Sequence, residues 1–246
     1  MRKKHILIIG ESCRDVFNYG TCARLCPEQP VPIFKSKKTI ENAGMALNVY
    51  NNIVTLGIDT DIITNKNWST ITKTRFIDSS SNHMFMRLDV NDDEYIKYDT
   101  KALDYDKYDA IIVSDYNKGF ISEQQIEHIS LNHNCVFLDT KKYLGSWCEN
   151  VKFIKINEQE YLRNKHFILD RVIDKTIITL GSKGASLNEV IYPVSKVDIR
   201  DVAGAGDSFI AGLVVKYIEH NNIIESIKFA NDCATKVVQK RGVSVI

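Results

Sequence analysis

Residues 201–209 read Asp-Val-Ala-Gly-Ala-Gly-Asp-Ser-Phe, a glycine-rich turn that leads into a helix. A short extended piece, residues 196–200, precedes the turn. Apolar residues then recur at the spacing of a buried helix: Phe209, Ile210, Leu213, Val214, Tyr217 and Ile218. Small residues let backbone N–H groups approach an anion closely, and a helix N-terminus favours negative charge. The stretch therefore predicts an anion-binding turn at the start of a buried helix.

Asp207 places a carboxylate at the mouth of this turn. A carboxylate in that position can take a proton from a nucleophile. An anion cradle beside a base is what phosphoryl transfer requires, because positioning and charge stabilisation carry most of that chemistry. The alternative interpretation is a plain helix N-cap with a tight turn, since glycine-rich turns before helices are common. The stretch alone leaves both interpretations open.

Outside this stretch, short β-rich runs alternate with helical patterns. Buried strands are predicted at residues 6–9, 110–113, 136–138, 153–156 and 176–180. Helices are predicted at about residues 42–56, 122–132, 157–164, 205–219 and 222–240. This alternation favours a three-layer α/β/α fold, in which helices cover both faces of a mostly parallel central sheet. Ligands usually bind at the strand ends of such sheets.

Two regions break the alternation and predict a small β-strand lid. Residues 30–36 contain two prolines, which are poorly tolerated in central strands, and are predicted as an edge strand. Residues 72–89 contain two extended segments joined by a polar turn at residues 79–82, which is typical of a hairpin. We expect these strands to stand off the main body.

Composition bounds the class of protein. The 246 residues fit one domain, residues 1–246, and can bury a large core. The 32 Lys and Arg nearly balance 31 Asp and Glu, which gives no electrostatic footprint for nucleic acid or an acidic membrane. No apolar run approaches the roughly 20 residues that span a bilayer. The six cysteines form no C-x-x-C pair, which favours reduced thiols in a cytoplasmic enzyme and disfavours a zinc site.

Three further motifs accompany the glycine-rich turn. Residues 179–185 (Thr-Leu-Gly-Ser-Lys-Gly-Ala) follow a predicted strand, residues 157–160 (Asn-Glu-Gln-Glu) open a helix, and residues 230–234 (Ala-Asn-Asp-Cys-Ala) lie on the last helix. In this order and spacing, the set resembles the PfkB (ribokinase-like) family of carbohydrate kinases, and the resemblance spans nearly the whole chain. It implies an ATP-dependent sugar kinase.

The N-terminal half narrows the resemblance. Residues 15–33, 44–49, 86–89 and 114–119 are similar to the kinase domain of bacterial heptose 7-phosphate kinases, which act on D-glycero-D-manno-heptose 7-phosphate on the way to ADP-heptose. Many such proteins carry a fused nucleotidyltransferase domain, which we do not expect in these residues. The alternatives are a kinase for another sugar, sugar phosphate or nucleoside, and a non-catalytic sugar- or nucleotide-binding relative.

The resemblance assigns site residues by motif. Asp207 matches the catalytic base. The residues that match the anion hole are Gly204, Ala205 and Gly206. Asn157 and Glu160 match the motif that organises Mg²⁺, largely through water. The residues that match the nucleotide side are Thr179, Ser182, Gly184 and Asn231.

The sugar end is assigned by the same resemblance. The candidates are Asp15, Asn48, Arg87 and Lys118, since a phosphorylated sugar needs fixed hydrogen-bonding groups and a cation. Asp201 is a candidate for a monovalent-cation site, as in some relatives. The alternatives are ordinary structural roles: a turn residue for Asp15, a surface polar group for Asn48, and solvated charges for Arg87 and Lys118. The resemblance also implies a homodimer through the lid strands.

The chain departs from the family pattern at four places. Relatives usually show an Asp soon after the first strand's Gly, whereas here Glu11 follows Gly10 and leaves Asp15 as the nearer match. The usual Gly-Gly pair is Ala43-Gly44, and the usual Asp-Pro-Lys is Asp139-Thr140-Lys141. Relatives hold a helix and a strand where this chain has only residues 64–71. We therefore expect a trimmed edge of the main sheet, with the catalytic motifs unaffected.

Overall fold

A computed structural model describes residues 3–98, 103–240, 242 and 244–246. In chain order its strands and helices are β1 (His5–Gly10), β2 (Ser12–Thr21), β3 (Lys35–Met45), α1 (Ala46–Thr55), β4 (Asp59–Ile63), β5 (Thr72–Asp78), β6 (Met84–Val90), β7 (Ala110–Asp115), α2 (Glu123–Asn132), β8 (Val136–Thr140), β9 (Phe153–Asn157), α3 (Glu158–Phe167), β10 (Thr176–Thr179), β11 (Ala185–Leu187), β12 (Val190–Tyr192), α4 (Ala205–His220) and α5 (Ile223–Val238).

The main sheet has eight strands in the order β12-β11-β10-β9-β8-β7-β1-β4. The strands from β10 to β4 are parallel, and β11 and β12 pair antiparallel at one edge. Alternate side chains of β1 enter two cores, with Ile6 and Ile8 facing α1 and α4, and Leu7 and Ile9 facing α2. Helices therefore cover both faces, which confirms the predicted three-layer α/β/α fold.

A second sheet forms the lid, in the order β3-β2-β5-β6. The predicted hairpin is present as β5 and β6. The predicted edge strand at residues 30–36 is wrong, because only Lys35 and Ser36 lie in a strand. Pro30 and Pro32 lack the N–H that a ladder requires, and the segment makes only an isolated bridge between Leu25 and Pro32.

The sequence interpretation missed the two longest lid strands. β2 pairs with β3 along its length and with β5 on its other side. The helix predicted from residue 42 begins at Ala46, because residues 42–45 instead pair with β2. Met45 turns the chain with a positive φ of 62°. The short strands β11 and β12 were also missed, and the extended piece at residues 196–200 joins neither sheet.

Strand β4 closes the main sheet at one side, and its trimming relative to the family stays a prediction. The chain then runs through residues 64–71 directly into β5 of the lid. Among the described residues, no helix is long and apolar enough to cross a membrane.

Candidate active site

Two adjoining cavities lie where the carboxyl ends of the parallel strands meet the start of α4. The larger, about 440 Å³, has mostly apolar walls, and the smaller, about 270 Å³, is lined mainly by polar groups. Thr179 and Gly206 border both cavities. This position is the usual ligand-binding edge of a parallel α/β sheet.

Asp207 lies in the first turn of α4, buried at the wall of the polar cavity. Asn48 Nδ2 donates a hydrogen bond to its Oδ2 at 2.8 Å, and the Tyr116 hydroxyl donates to its Oδ1 at 2.7 Å. Burial raises the pKa of Asp207 to about 6, although both hydrogen bonds and the charge of Lys155 act to lower it. The carboxylate is therefore ionised at neutral pH but more basic than an exposed aspartate, which suits a general base.

The glycine-rich turn has the geometry expected of an anion-binding site. Gly204 precedes α4 with a left-handed φ of 80°, and the helix begins at Ala205. Ala205 N donates to Val202 O at 3.3 Å. The first N–H groups of a helix lack an intrahelical acceptor, so the start of α4 favours an anion. A Cβ at Gly206 would lie 2.9 Å from Lys155 Nζ. Glycine at this position therefore leaves room for a buried ammonium group beside the turn.

The sequence interpretation did not identify Lys155. Its Nζ lies 2.8 Å from Asp139 Oδ2, and both side chains are largely buried. Burial opposes the charge on Lys155, but Asp139 and the nearby Asp207 and Glu160 raise its pKa above the ordinary value. The sequence signal that could have identified Lys155 is its position between Ile154 and Ile156 in a predicted buried strand. A lysine is rarely buried without a partner, so this position indicates a paired or functional charge.

The two residues of the predicted magnesium motif form a capping box at the start of α3. Glu160 N donates to Asn157 Oδ1, and Asn157 N donates to Glu160 Oε2, both at 2.8 Å. Glu160 Oε1 accepts from Lys141 Nζ at 3.3 Å. No cluster of three metal-ligating acidic, His or Cys side chains occurs among the described residues. Asn157 and Glu160 line the polar cavity with oxygen atoms of the type that Mg²⁺ prefers, and the magnesium site stays a prediction.

The predicted nucleotide-side residues gather at the larger cavity, which Thr179, Ser182, Gly184 and Asn231 all line. Apolar side chains complete its walls: Val194, Val197, Ile199, Val202, Phe209 and Val238. Asn231 is buried, and its Nδ2 donates to Tyr192 O at 2.8 Å, so it does not simply face solvent. An apolar cavity with a few fixed polar groups suits a flat heterocyclic ring.

The predicted sugar-side residues lie on different elements around the lid. Asn48 on α1 contacts Asp207 directly. Asp15 on β2 is buried and paired with Arg75 Nη1 at 2.5 Å. Gly44 allows this placement, because a Cβ there would lie 2.2 Å from the Asp15 carboxylate. Lys118 Nζ pairs with Asp92.

Arg87 is the most peripheral of these candidates. It lies on the exposed strand β6 and makes a two-pronged contact with Asp89, at 2.7 Å to each oxygen. Its partner across the hairpin is Arg75, which places both side chains on one face of the lid. The structure therefore does not bring Arg87 into contact with the base.

Asp201, the candidate for a monovalent-cation site, fastens the glycine-rich turn. Its Oδ1 accepts from Ala203 N at 2.9 Å and its Oδ2 from Gly242 N at 3.1 Å. Both oxygens thus already serve backbone N–H groups, and the cation site stays a prediction.

A basic carboxylate beside a helix N-terminus, next to a cavity for a heterocycle, is the arrangement with which proteins transfer phosphoryl groups to hydroxyls. Comparison with known proteins agrees with this interpretation of the site. The profile of the pfkB family of carbohydrate kinases matches residues 51–245, and the chain belongs to this family.

Curated relatives include the bifunctional protein HldE of Helicobacter pylori strain J99, which is 29% identical over 97% of this chain, and that of Aliarcobacter butzleri, 29% identical over 98%. The chain spans only 64% and 62% of the length of these relatives. Among solved structures, Arabidopsis thaliana ribokinase complexed with ribose and ATP superposes with a TM-score of 0.73 at 15% identity, covering 98% of this chain and 94% of that one. This likeness supports the fold.

Proposed function

We propose that this kinase transfers the γ-phosphoryl group of ATP to the anomeric hydroxyl of a heptose phosphate, D-glycero-D-manno-heptose 7-phosphate or a close analogue. The observation that carries the proposal is the buried Asp207, held by Asn48 and Tyr116 at the wall of the polar cavity. The similarity to HldE proteins supports a heptose phosphate as the acceptor. Because the reaction consumes ATP, we place it in the cytoplasm.

The geometry supports a direct transfer between the two substrates. ATP would lie with its base in the larger cavity and its phosphates at Gly204–Gly206. Asp207 would accept the proton of the sugar hydroxyl while that oxygen attacks the γ-phosphorus and ADP leaves. The helix N–H groups and Lys155 would stabilise the charge on the transferred group.

Asn157 and Glu160 would hold Mg²⁺ through water molecules, and the ion would neutralise charge on the phosphates of ATP. A monovalent cation near Asp201 is a further part of the proposal. The lid would exclude water, so that ATP is not hydrolysed in place of the sugar reaction.

A cluster of cations beside the sugar end supports a phosphorylated acceptor. Lys73 and Lys118 both pair with Asp92, and Arg75 pairs with Asp15. Three cations on these two acids leave a positive balance. A sugar phosphate could therefore gain charge-assisted hydrogen bonds here that a free sugar could not.

Lys118→Met is expected to separate these two kinds of acceptor. Asp92 keeps Lys73 at 2.9 Å, so the substitution strands no buried charge. We expect kcat/KM to fall about ten- to a hundredfold for heptose 7-phosphate, which is the value of a hydrogen bond to a charged group, and to change little for the unphosphorylated heptose. Steady-state kinetics with both sugars measure it, with the exposed Lys66→Met as control. Equal losses for both sugars would mean that Lys118 does not contact the phosphate.

A homodimer through the lid is the second expectation. Strand β6 is the edge of the lid sheet, and Met84, Phe85, Met86, Leu88 and Val90 on it are all exposed. An exposed apolar edge strand is a template for pairing with another chain. We expect the mass in solution, measured by light scattering, to be twice 28.1 kDa. The double variant Met86→Lys/Leu88→Lys should halve it, whereas a wild-type monomer would contradict the proposal.

The function is tested by Mg²⁺-dependent ADP release from ATP across a panel of acceptors: D-glycero-D-manno-heptose 7-phosphate, sedoheptulose 7-phosphate, fructose 6-phosphate, ribose and adenosine. We expect turnover that requires a sugar and is highest with the heptose phosphate. A higher rate with another acceptor would replace the proposed substrate. Nucleotide-dependent heat stabilisation without turnover on any acceptor would favour a binding protein that kept the fold.

A further inference from the structure

Tyr116 has no direct role in the proposed phosphoryl transfer, yet its side chain contacts Asp207, the proposed base. It follows β7 and lines the polar cavity with Asp207. Its hydroxyl donates to Asp207 Oδ1 at 2.7 Å. Lys141 Nζ lies 5.0 Å from the centre of its ring, which is a cation–π contact.

A second buried group, Glu11, has no part in the transfer but fixes the turn that carries Tyr116. Glu11 is fully buried directly after β1. Its Oε2 accepts from Tyr116 N at 2.8 Å, and its Oε1 accepts from Lys118 N at 3.0 Å. Between them, Asn117 has a left-handed φ of 56°. One carboxylate therefore holds both ends of a tight turn.

We propose that Tyr116 keeps Asp207 ionised at neutral pH, and that Glu11 is a positioning residue that holds Tyr116 against it. The proposal rests on the proposed role of Asp207 as the base. A buried carboxylate favours its neutral form, whereas a donor that points at the carboxylate favours the ionised form. The phenol supplies such a donor without adding a charge that would compete with the phosphates.

Tyr116 shares this role with Asn48, and each of the two serves a different oxygen of Asp207. Asn48 on α1 donates to Oδ2, and Tyr116 donates to Oδ1, so each oxygen has one donor and retains a lone pair for the sugar hydroxyl. Lys155 on β9 lowers the pKa of Asp207 by its charge, and Asp139 on β8 raises it. These two opposite charges pair with each other at 2.8 Å, so their effects on Asp207 partly cancel.

Tyr116→Phe tests the proposal by removing one oxygen atom. We expect the acid limb of the kcat/KM profile to move up by about one pH unit, so that the variant is about fivefold slower at pH 6, about tenfold slower at pH 5 and close to wild type at pH 9. Tyr143→Phe is the matched control, since Tyr143 is 69% exposed. A uniform loss at all pH values would mean that Tyr116 only packs, and would overturn the proposal.

A direct titration separates this proposal from the proposed function. Carbon-13 NMR of protein labelled at the aspartate carboxyl carbons, with Asp207→Asn to assign the signal, needs no turnover. We expect the Asp207 midpoint near pH 6 in the wild type and about one unit higher in Tyr116→Phe. Equal Asp207 midpoints in the wild type and Tyr116→Phe would overturn the role of Tyr116, even if the protein is an active kinase. A shifted midpoint in a protein without kinase activity would support the role of Tyr116 and contradict only the proposed function.

Glu11→Gln tests the positioning role. The amide that this variant carries at residue 11 would place its NH₂ group against the backbone N–H of Tyr116 or Lys118. Two donors cannot bond to each other, so the turn at residues 116–118 would shift. We expect the Asp207 midpoint to rise as in Tyr116→Phe, and the double variant to show no further rise, because both act on the same hydrogen bond. If Glu11→Gln does not fold, Asn117→Ala is the second variant. Asn117 is exposed and has a left-handed φ, which alanine adopts less readily, so the substitution strains the same turn. An unchanged midpoint in the folded variant would remove Glu11 from the proposal.

Discussion

Asp207→Asn is expected to lower sugar-dependent turnover by between about 10² and 10⁴-fold, the usual contribution of a general base. The amide keeps the shape and hydrogen-bonding size of the side chain but cannot take the proton of the sugar hydroxyl. The measurement is ADP release with saturating ATP and sugar. Asp232→Asn is the matched control, because Asp232 is exposed on α5, away from the cavity wall. Turnover within tenfold of wild type would show that another group is the base.

The pH dependence of the wild type should report the same group. Asp207 acts when ionised and its pKa is raised to about 6, so kcat/KM should fall as the pH drops through 6. An acid limb near pH 4, the ordinary value of an aspartate, would contradict the assignment.

Asp207→Asn should not destabilise the protein. The folded state binds the Asp207 proton more tightly than the unfolded chain, so between pH 3.8 and about 6 the free energy of unfolding falls as pH rises. Above that window, the buried charge carries a cost of up to about 3 kcal/mol. Asp207→Asn removes this cost, and we expect its melting temperature at pH 8 to equal or exceed that of the wild type. Loss of activity then cannot come from unfolding.

Lys155→Met is expected to lower kcat by about 10² to 10³-fold, as removal of one transition-state donor does elsewhere. The buried ammonium lies beside Gly206 at the glycine-rich turn, where the proposed transfer requires stabilisation of charge on the phosphoryl group. Single-turnover rates at saturating ATP isolate this step from binding. The exposed Lys152→Met on the same segment is the control.

Lys155→Met also leaves Asp139 buried without its cation, and removal of one partner of a buried pair costs about 3–5 kcal/mol of stability. The double variant Lys155→Met/Asp139→Asn removes the stranded charge. We expect it to recover most of the lost melting temperature but not the lost rate. Recovery of both together would mean that Lys155 acts only by holding the fold, and that the anion site depends on backbone N–H groups alone.

Local sequence patterns were sufficient to predict much of the main sheet and its covering helices. The glycine-rich turn, the helix behind it and the strands β1, β7, β8, β9 and β10 follow from hydrophobic periodicity, glycine placement and helix-opening polar residues, which act within a few residues of the chain. The order of motifs gave the family, and the family profile confirms it. The roles assigned to individual site residues stay predictions.

The lid shows where local patterns fail. Strand β3, Lys35–Met45, is almost entirely exposed and polar over its first half, so it lacks the alternation that marks a strand. It is extended because β2 supplies hydrogen-bonding partners along its length, and β2 is itself fixed by β5 from later in the chain. Residues 30–34, by contrast, have a strand-like composition, but Pro30 and Pro32 lack the N–H that a ladder requires.

The sequence by itself determined the fold class and a turn able to bind an anion, because backbone conformation and helix dipoles depend on neighbouring residues. Only the tertiary structure decided what surrounds Asp207. Asn48, Tyr116 and Lys155 come from three separate elements, and their effect on the carboxylate depends on distance and burial. Electrostatic free energy varies with both, and neither is defined until the chain has folded.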